Sequence, residues 1–221
     1  MFKYKDKKIQ ITCDGGAATG KSTGAKMIAK RYKIPFMSSG SLYRYASYLI
    51  LKNKPKDKIK LLKKKFKYLN YNKLSRINLH TPEISAHSAK IAKILSVRNI
   101  LKKYQLSFIN NKSCVLEGRD ASTKILPNSD VKFFFICNLD IATKRRYKEL
   151  KKFSKNIKFL EVKKALFSRD KKDRSRRFSP LQRHPDAVVV DTGKLNKQAM
   201  LIKMINNVEK VLLKKYGNRR N

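Results

Sequence analysis

The chain has 221 residues, with 55 Lys+Arg against 15 Asp+Glu for a formal net charge of +40, and 41% of its residues are hydrophobic. This excludes both a neutral surface and a disordered basic tail, because the apolar content suffices for a core at a length that fits one α/β domain. No run approaches the ~20 apolar residues that span a bilayer, and Met1 to Lys8 is too polar for a signal peptide, which predicts a cytoplasmic protein with no membrane partner.

The charge is unevenly made. There are 41 Lys and 14 Arg, with the lysines scattered from Lys3 to Lys215. A dedicated nucleic-acid binder concentrates Arg and interleaved aromatics on one face, so the expectation is nonspecific electrostatic contact with nucleic acid and nothing more. The arginines do cluster, at Arg145 and Arg146 and again over Arg169, Arg174, Arg176 and Arg177, and phosphate chemistry is to be sought there. Cys13, Cys114 and Cys137 are odd in number and lack CxxC spacing, so all three read as buried thiols, with neither a disulfide nor a zinc site.

Ile9 to Cys13 is a β-branched run ending in Asp14, Gly15 and Gly16, a strand entering a turn. Helical spacing follows from Lys21 to Tyr32, and Pro35 stops it. Phe36 and Met37 form a short strand, Ser38 to Gly40 a turn, and Leu42 to Leu51 an apolar helix. Lys52 to Leu79 is the most lysine-rich stretch and shifts from helix-like Lys56 to Lys65 into Phe66, Tyr68 and Tyr71, which suggests a small peripheral lobe. Thr81-Pro82-Glu83 starts a helix, and the periodicity runs on through Ile91, Leu95 and Ile100 to Phe108 as one helix or two. Cys114 to Leu116 and Val131 to Ile136 read as buried strands with little alternation, as in a parallel sheet covered on both faces. Asp140 is the expected cap of a helix bearing Arg145 and Arg146; a long amphipathic segment covers Phe159 to Arg177, a last strand Ala187 to Val190, and a last helix Asn196 to Lys214. Strands alternate with helices throughout, the pattern of an α/β fold with a parallel central sheet and right-handed crossovers.

Gly15-Gly16-Ala17-Ala18-Thr19-Gly20-Lys21-Ser22 fits the phosphate-loop pattern GxxxxGK[ST], between a predicted strand and a predicted helix. Glycines let the backbone curl so that N–H groups and the helix start face phosphates. Lys21 is expected to reach the β- and γ-phosphates of ATP, Ser22 to ligate Mg²⁺, and Thr23 to stand one step into the helix. Glu117-Gly118-Arg119-Asp120 ends the next long buried strand, where Glu117 can hold Mg²⁺ directly or through water. Arg169, Asp173 and Arg176 fall at i, i+4 and i+7 on one helix stripe, and Asp170, Arg174 and Arg177 on its neighbour. Taken alone these are helix salt bridges, but phosphoryl transfer needs positive charge about the moving group more than it needs a base.

Taken together, these residues resemble the bacterial cytidylate kinase family, a branch of the nucleoside monophosphate kinases, from about Ile9 to Tyr216. The phosphate loop, Ser39-Gly40-Ser41-Leu42-Tyr43-Arg44, Thr81-Pro82-Glu83, Val97-Arg98, Glu117-Gly118-Arg119-Asp120, Arg169-Asp170 and Asp173-Arg174-Ser175-Arg176 come in family order. The resemblance implies a phosphate-loop three-layer fold with a parallel central sheet, a small acceptor-binding lobe and a short lid. That is one kinase domain over 1–221, with a core at about 8–52 and 82–217, the lobe at about 53–81 and the lid at about 143–158. It implies transfer of the γ-phosphoryl group of ATP to CMP or dCMP, with Mg²⁺, in a monomer. Carried over, Gly15 to Thr23 hold ATP, Ser39 and Arg44 seat the monophosphate, and Arg98 and Asp120 read cytosine. Arg169 and Asp173 face the ribose with Ser88 beside them, Arg119 and Arg176 face the acceptor phosphate, and Arg145 and Arg146 belong to the lid. Cytosine offers an amino donor and two acceptors, which a carboxylate and a guanidinium match. The chain departs from the family at Ser38, where an acidic residue is usual, at His80 and Ala142, where arginines are, and at Ala89, where a serine is. The rival readings are a kinase for another acceptor, such as UMP or a small metabolite, and a basic nucleic-acid-binding ATPase.

Overall fold

The computed structural model describes residues 7–152 and 156–217. The chain divides into two compact units, one formed by the chain up to Phe36 and from Lys112 onward, the other by Met37–Asn111.

The first unit is built on strands whose sequences have no polar face to offer water. β1 (Gln10–Gly15) and β3 (Cys114–Gly118) are buried along their whole length, and β4 (Val131–Ile136) everywhere but its last residue. Burial on both faces is what a parallel sheet between helices demands, and it explains the unbroken Phe133-Phe134-Phe135 run. With β2 (Phe36–Ser38) and β5 (Val188–Asp191) the sheet has the order β2-β3-β1-β4-β5; the boundary between the units falls within β2. β1 runs parallel to β3 and to β4, with Cys13 opposite Glu117 and Phe133, so the ends of the three strands converge at Asp14 and Gly15.

α1 (Lys21–Tyr32) and α8 (Lys197–Tyr216) cover one face of this sheet, and Ile11, Cys13, Ile28, Val115, Phe133, Phe135, Val190, Met204 and Val208 share one core with them. α1 lies so close to the sheet that a Cβ on Gly24 would stand 2.7 Å from the Phe135 ring. The helix ends at Lys33 in the left-handed region, φ 53°, with its backbone N–H closing on Ala29 and Lys30. α6 (Leu139–Lys151) packs against α7 (Phe159–Ser175), joined by a small cluster of Ala17, Ala142, Val162 and Leu166.

The second unit is helical. α2 (Ser39–Asn53) packs on α4 (Pro82–Ile91), and α3 (Lys58–Lys67) on α5 (Leu95–Ile109). The lysine-rich stretch folds because α3 is strongly two-faced: Leu62 and Phe66 are buried and its lysines face water. Phe66 meets the rings of Tyr45 and Tyr104, and a 3-10 turn at Tyr71–Arg76 follows. Thr81 caps α4 by accepting from the Ile84 N–H at 3.2 Å, with Pro82 in the first turn as read from sequence.

Three local expectations are corrected. Ser39 opens α2 instead of lying in a turn. The cap of α6 is Asn138, whose side chain accepts from the Asp140 N–H at 2.7 Å, leaving Asp140 in the first turn. Cys137 is only half-buried, because β4 has already surfaced at Ile136; Cys13 and Cys114 are buried.

Candidate active site

The phosphate loop follows from the position of β1. Gly15 passes so close to the backbone of Phe135 that no side chain would fit, and Gly20 takes φ 82° where the chain turns into α1. Gly20 has no side chain with which to cap α1, and the first turn of that helix holds no acidic residue. Its N–H groups and the positive end of its dipole are thus left for an anion. Within the loop, the Thr19 hydroxyl donates to the Gly16 carbonyl at 3.0 Å and Lys21 Nζ to the same oxygen at 2.8 Å. Ser22 and Thr23 are exposed on the first turn.

Lys21 is buried and stands 3.6 Å from the Glu117 carboxylate, which the β1–β3 register carries alongside. Burial, aided by the nearby Arg119 and Arg169 charges, pulls the Lys21 ammonium down to about 7 despite the opposing pull of Glu117 and Asp170.

Asp14, the residue before the loop, is fully buried and accepts from the Ala121 N–H at 2.9 Å, the Ser122 N–H at 2.7 Å and the Ser122 hydroxyl at 2.6 Å. Burial pushes its carboxyl up to about 6 against those hydrogen bonds. The bonds fix a π-helical turn, Ala121–Ile125, directly after Arg119 and Asp120.

Arg119 and Asp120 meet α7 there. Arg119 Nε donates to Asp173 Oδ2 at 2.8 Å, Arg176 lies 3.5 Å from the other oxygen of Asp173, and Arg176 is 3.8 Å from Asp120. Burial works against both charges of the first pair. The surrounding carboxylates nevertheless hold Arg119 above its ordinary range, and Arg119, Arg169 and Arg176 hold Asp173 below its own. Asp170, one turn earlier on α7, accepts from the Ala17 N–H at 2.9 Å. On α6, Arg145 donates to the hydroxyl and the carbonyl of Thr192, both at 2.8 Å, while the Thr192 hydroxyl donates to the carbonyl of Thr19. Arg146 pairs with Glu149 at 3.0 Å. The stretch 143–158 expected as a lid lies partly outside the described residues.

The second unit holds the remaining sequence candidates. Arg98 is buried, donates to the Ala92 carbonyl at 3.1 Å and lies over the Tyr43 ring, 5.6 Å from its centre. Ser39 and Ser88 are buried, the Ser88 hydroxyl donating to the Ser85 carbonyl at 2.8 Å; Arg44 is half-buried on α2 beside Gly40.

A family model for cytidylate kinase matches residues 11–210. The chain belongs to the cytidylate kinase family. It is 36% identical to a cytidylate kinase of Thermosipho melanesiensis, over 90% of this chain and 96% of that protein, and 32% identical to one of Flavobacterium johnsoniae, over 93% and 99%. Its backbone resembles a crystal structure of an uncharacterized protein from Eubacterium ventriosum, with a TM-score of 0.56 and 16% identity over 91% of this chain and 99% of that one, a likeness of fold. As a cytidylate kinase family member the chain is an ATP-dependent kinase. Ala142 is buried in the cluster with Ala17, Val162 and Leu166.

Sequence reasoning passed over Ser122 and Thr192, and it gave Asp14 and Asp170 no role beyond a strand end and a helix stripe. A charged residue closing an apolar strand was the one available sign of Asp14; Thr192 offered none.

Proposed function

We propose that the chain transfers the γ-phosphoryl group of ATP to CMP or dCMP, giving ADP and CDP or dCDP. The observation that carries this is the uncapped start of α1, with buried Lys21 and Glu117 beside it, sharing its charge field with the Arg119, Asp173 and Arg176 network. Such an array suits a reaction whose demand is charge neutralisation and alignment.

Gly15 to Thr23 hold the triphosphate, and Lys21 draws charge from the bridging oxygen. Arg119 and Arg176 take the acceptor phosphate with Ser39 and Arg44. Asp173 and Arg169, with Ser88, face the sugar, and Asp120 and Arg98 read the base. Arg145 and Arg146 close over the transferred group and exclude water. Held in line, the acceptor oxygen attacks the γ-phosphorus as the β–γ bridge breaks, with no covalent enzyme intermediate.

The donor set suits Mg²⁺. Among the described residues no group of three or more His, Cys, Asp or Glu side chains could cage a metal, while the exposed Ser22 hydroxyl and the Glu117 carboxylate offer hard oxygens beside the loop, the sparse ligation this ion accepts when phosphates supply the rest. Mg²⁺ would neutralise charge on the β- and γ-phosphates.

The chain acts as a monomer in the cytoplasm, and its basic surface meets nucleic acid only through nonspecific phosphate contacts. The scattering of the lysines supports the nonspecific contact, and no helix among the described residues is long and apolar enough to cross a membrane. ADP release assayed against CMP, dCMP, UMP, AMP and GMP tests the assignment. The cytidine nucleotides should be turned over at least tenfold more efficiently than the rest; equal rates, or none, would reject it.

A further inference from the structure

α7 reaches the phosphate loop at two successive turns. Leu166 packs in the cluster with Ala17, and Asp170, four residues on and therefore on the same face, accepts from the Ala17 N–H at 2.9 Å. The fit is close: a Cβ on Gly16 would stand 2.5 Å from Asp170 Oδ2. The same carboxylate lies within the charge field of Lys21 and Arg119. One turn beyond it, Asp173 carries the ion pair to Arg119. A single rigid helix thus holds the donor loop by Asp170 and the acceptor-side guanidinium by Asp173.

From this we infer that Asp170 is a positioning residue: through its hydrogen bond to Ala17 it locks the phosphate loop to α7 and sets the distance between the two phosphates that must react. The inference rests on the proposed phosphoryl transfer for its catalytic consequence, though not for the lock itself. A bond to a backbone N–H needs an acceptor oxygen and no charge, so Asn can replace Asp170 and Ala cannot. Because in-line transfer is sensitive to small misplacements, the loss should fall on the chemical step, with the acceptor still bound by groups the substitution does not touch.

The test compares Asp170→Asn and Asp170→Ala with the wild type. In the ligand-free enzyme, amide hydrogen exchange at Ala17 should quicken about tenfold or more in Asp170→Ala and stay near wild type in Asp170→Asn. In turnover with ATP and CMP, kcat should fall about tenfold or more in Asp170→Ala with the KM for CMP changed less than about threefold, and Asp170→Asn should restore kcat to within about threefold. Unchanged Ala17 exchange in Asp170→Ala, an unchanged kcat, or an Asn variant as impaired as the Ala variant would overturn the inference. Faster Ala17 exchange in an enzyme that phosphorylates no nucleoside monophosphate would leave the lock standing and reject the proposed function instead.

Discussion

Arg119 and Asp173 meet through a hydrogen bond of 2.8 Å between Nε and Oδ2, with both side chains largely buried. They lie 54 residues apart and join the end of β3 to α7. The carboxylate takes Nε, the inner nitrogen of the guanidinium. Removing one partner of a buried pair strands the other, so Asp173→Ala should cost about 3 kcal/mol of stability near neutral pH. The Asp173 carboxyl is held below its ordinary 3.8, so its contribution is fully present above that value and is lost as the pH falls below it through the lowered folded value. The gap in Tm between variant and wild type should therefore hold down to about pH 4 and close only on further acidification, from about pH 4 towards pH 2. A gap constant across that window would rule out the ion pair as its source.

Lys21→Met keeps the stem that packs beside Glu117 and removes the cation. Folding should survive while kcat falls at least about a hundredfold. Near wild-type turnover would contradict the donor assignment.

The same lysine makes donor binding pH-dependent. Its ammonium is drawn down to about 7 in the ligand-free enzyme, and a triphosphate, favouring the charged form, will restore the proton. Affinity for a non-hydrolysable ATP analogue should then be level below pH 7 and weaken by up to about tenfold per unit above it. The Lys21→Met variant should bind weakly with no such slope. Calorimetry in two buffers of different ionisation enthalpy measures the proton directly: uptake at pH 8 is expected in the wild type, and its absence would show that the charge is not linked to the ligand. The stability of the free enzyme carries the opposite sign. The folded value lies below the unfolded 10.5, so burying the charged form weakens the fold at low pH and ceases to do so as the pH rises from 7 towards 10.

Base selectivity is assigned to Asp120, which can accept the amino hydrogens of cytosine and has no donor for the carbonyl that uracil presents there. An unsatisfied buried pair of acceptors costs about 1 to 3 kcal/mol, so CMP should be preferred over UMP about ten- to a hundredfold. Asp120→Asn can turn an amide donor to that carbonyl, and the preference should shrink or invert. The substitution also loosens Arg176, 3.8 Å away, which raises KM for both nucleotides alike; the ratio of kcat/KM values is therefore the informative quantity. An unchanged ratio would take Asp120 out of the reading of the base.

What the sequence made legible was whatever a short stretch of chain decides for itself. The phosphate loop was readable because a backbone that must curl round an anion needs glycine at fixed spacings, and Gly15 and Gly20 stand where close approach and a left-handed φ require them. The parallel sheet was readable in Phe133 to Phe135, and the start of α4 in Thr81 and Pro82. Ser39 and Asp140 were misplaced by a residue or two, since serines and aspartates suit turns, caps and first helical turns alike. The bonds of Asp14 to Ser122, Asp170 to Ala17 and Thr192 to Thr19 span 108, 153 and 173 residues, and no local pattern marks them. They arise only once the sheet has brought the strand ends together.

The helix endings at Lys33 and Lys54, with φ of 53° and 41°, place lysine in a conformation that strongly favours glycine. In a chain with 41 lysines and 8 glycines, lysine stands at two helix ends that glycine would suit, and each end is closed by a backbone hydrogen bond, from Lys33 to Ala29 and Lys30 and from Lys54 to Ile50. The protein thus carries an unclaimed reserve. Replacing each of these two lysines by glycine should relieve about 1 kcal/mol of conformational strain, making them natural first substitutions for a hardier protein.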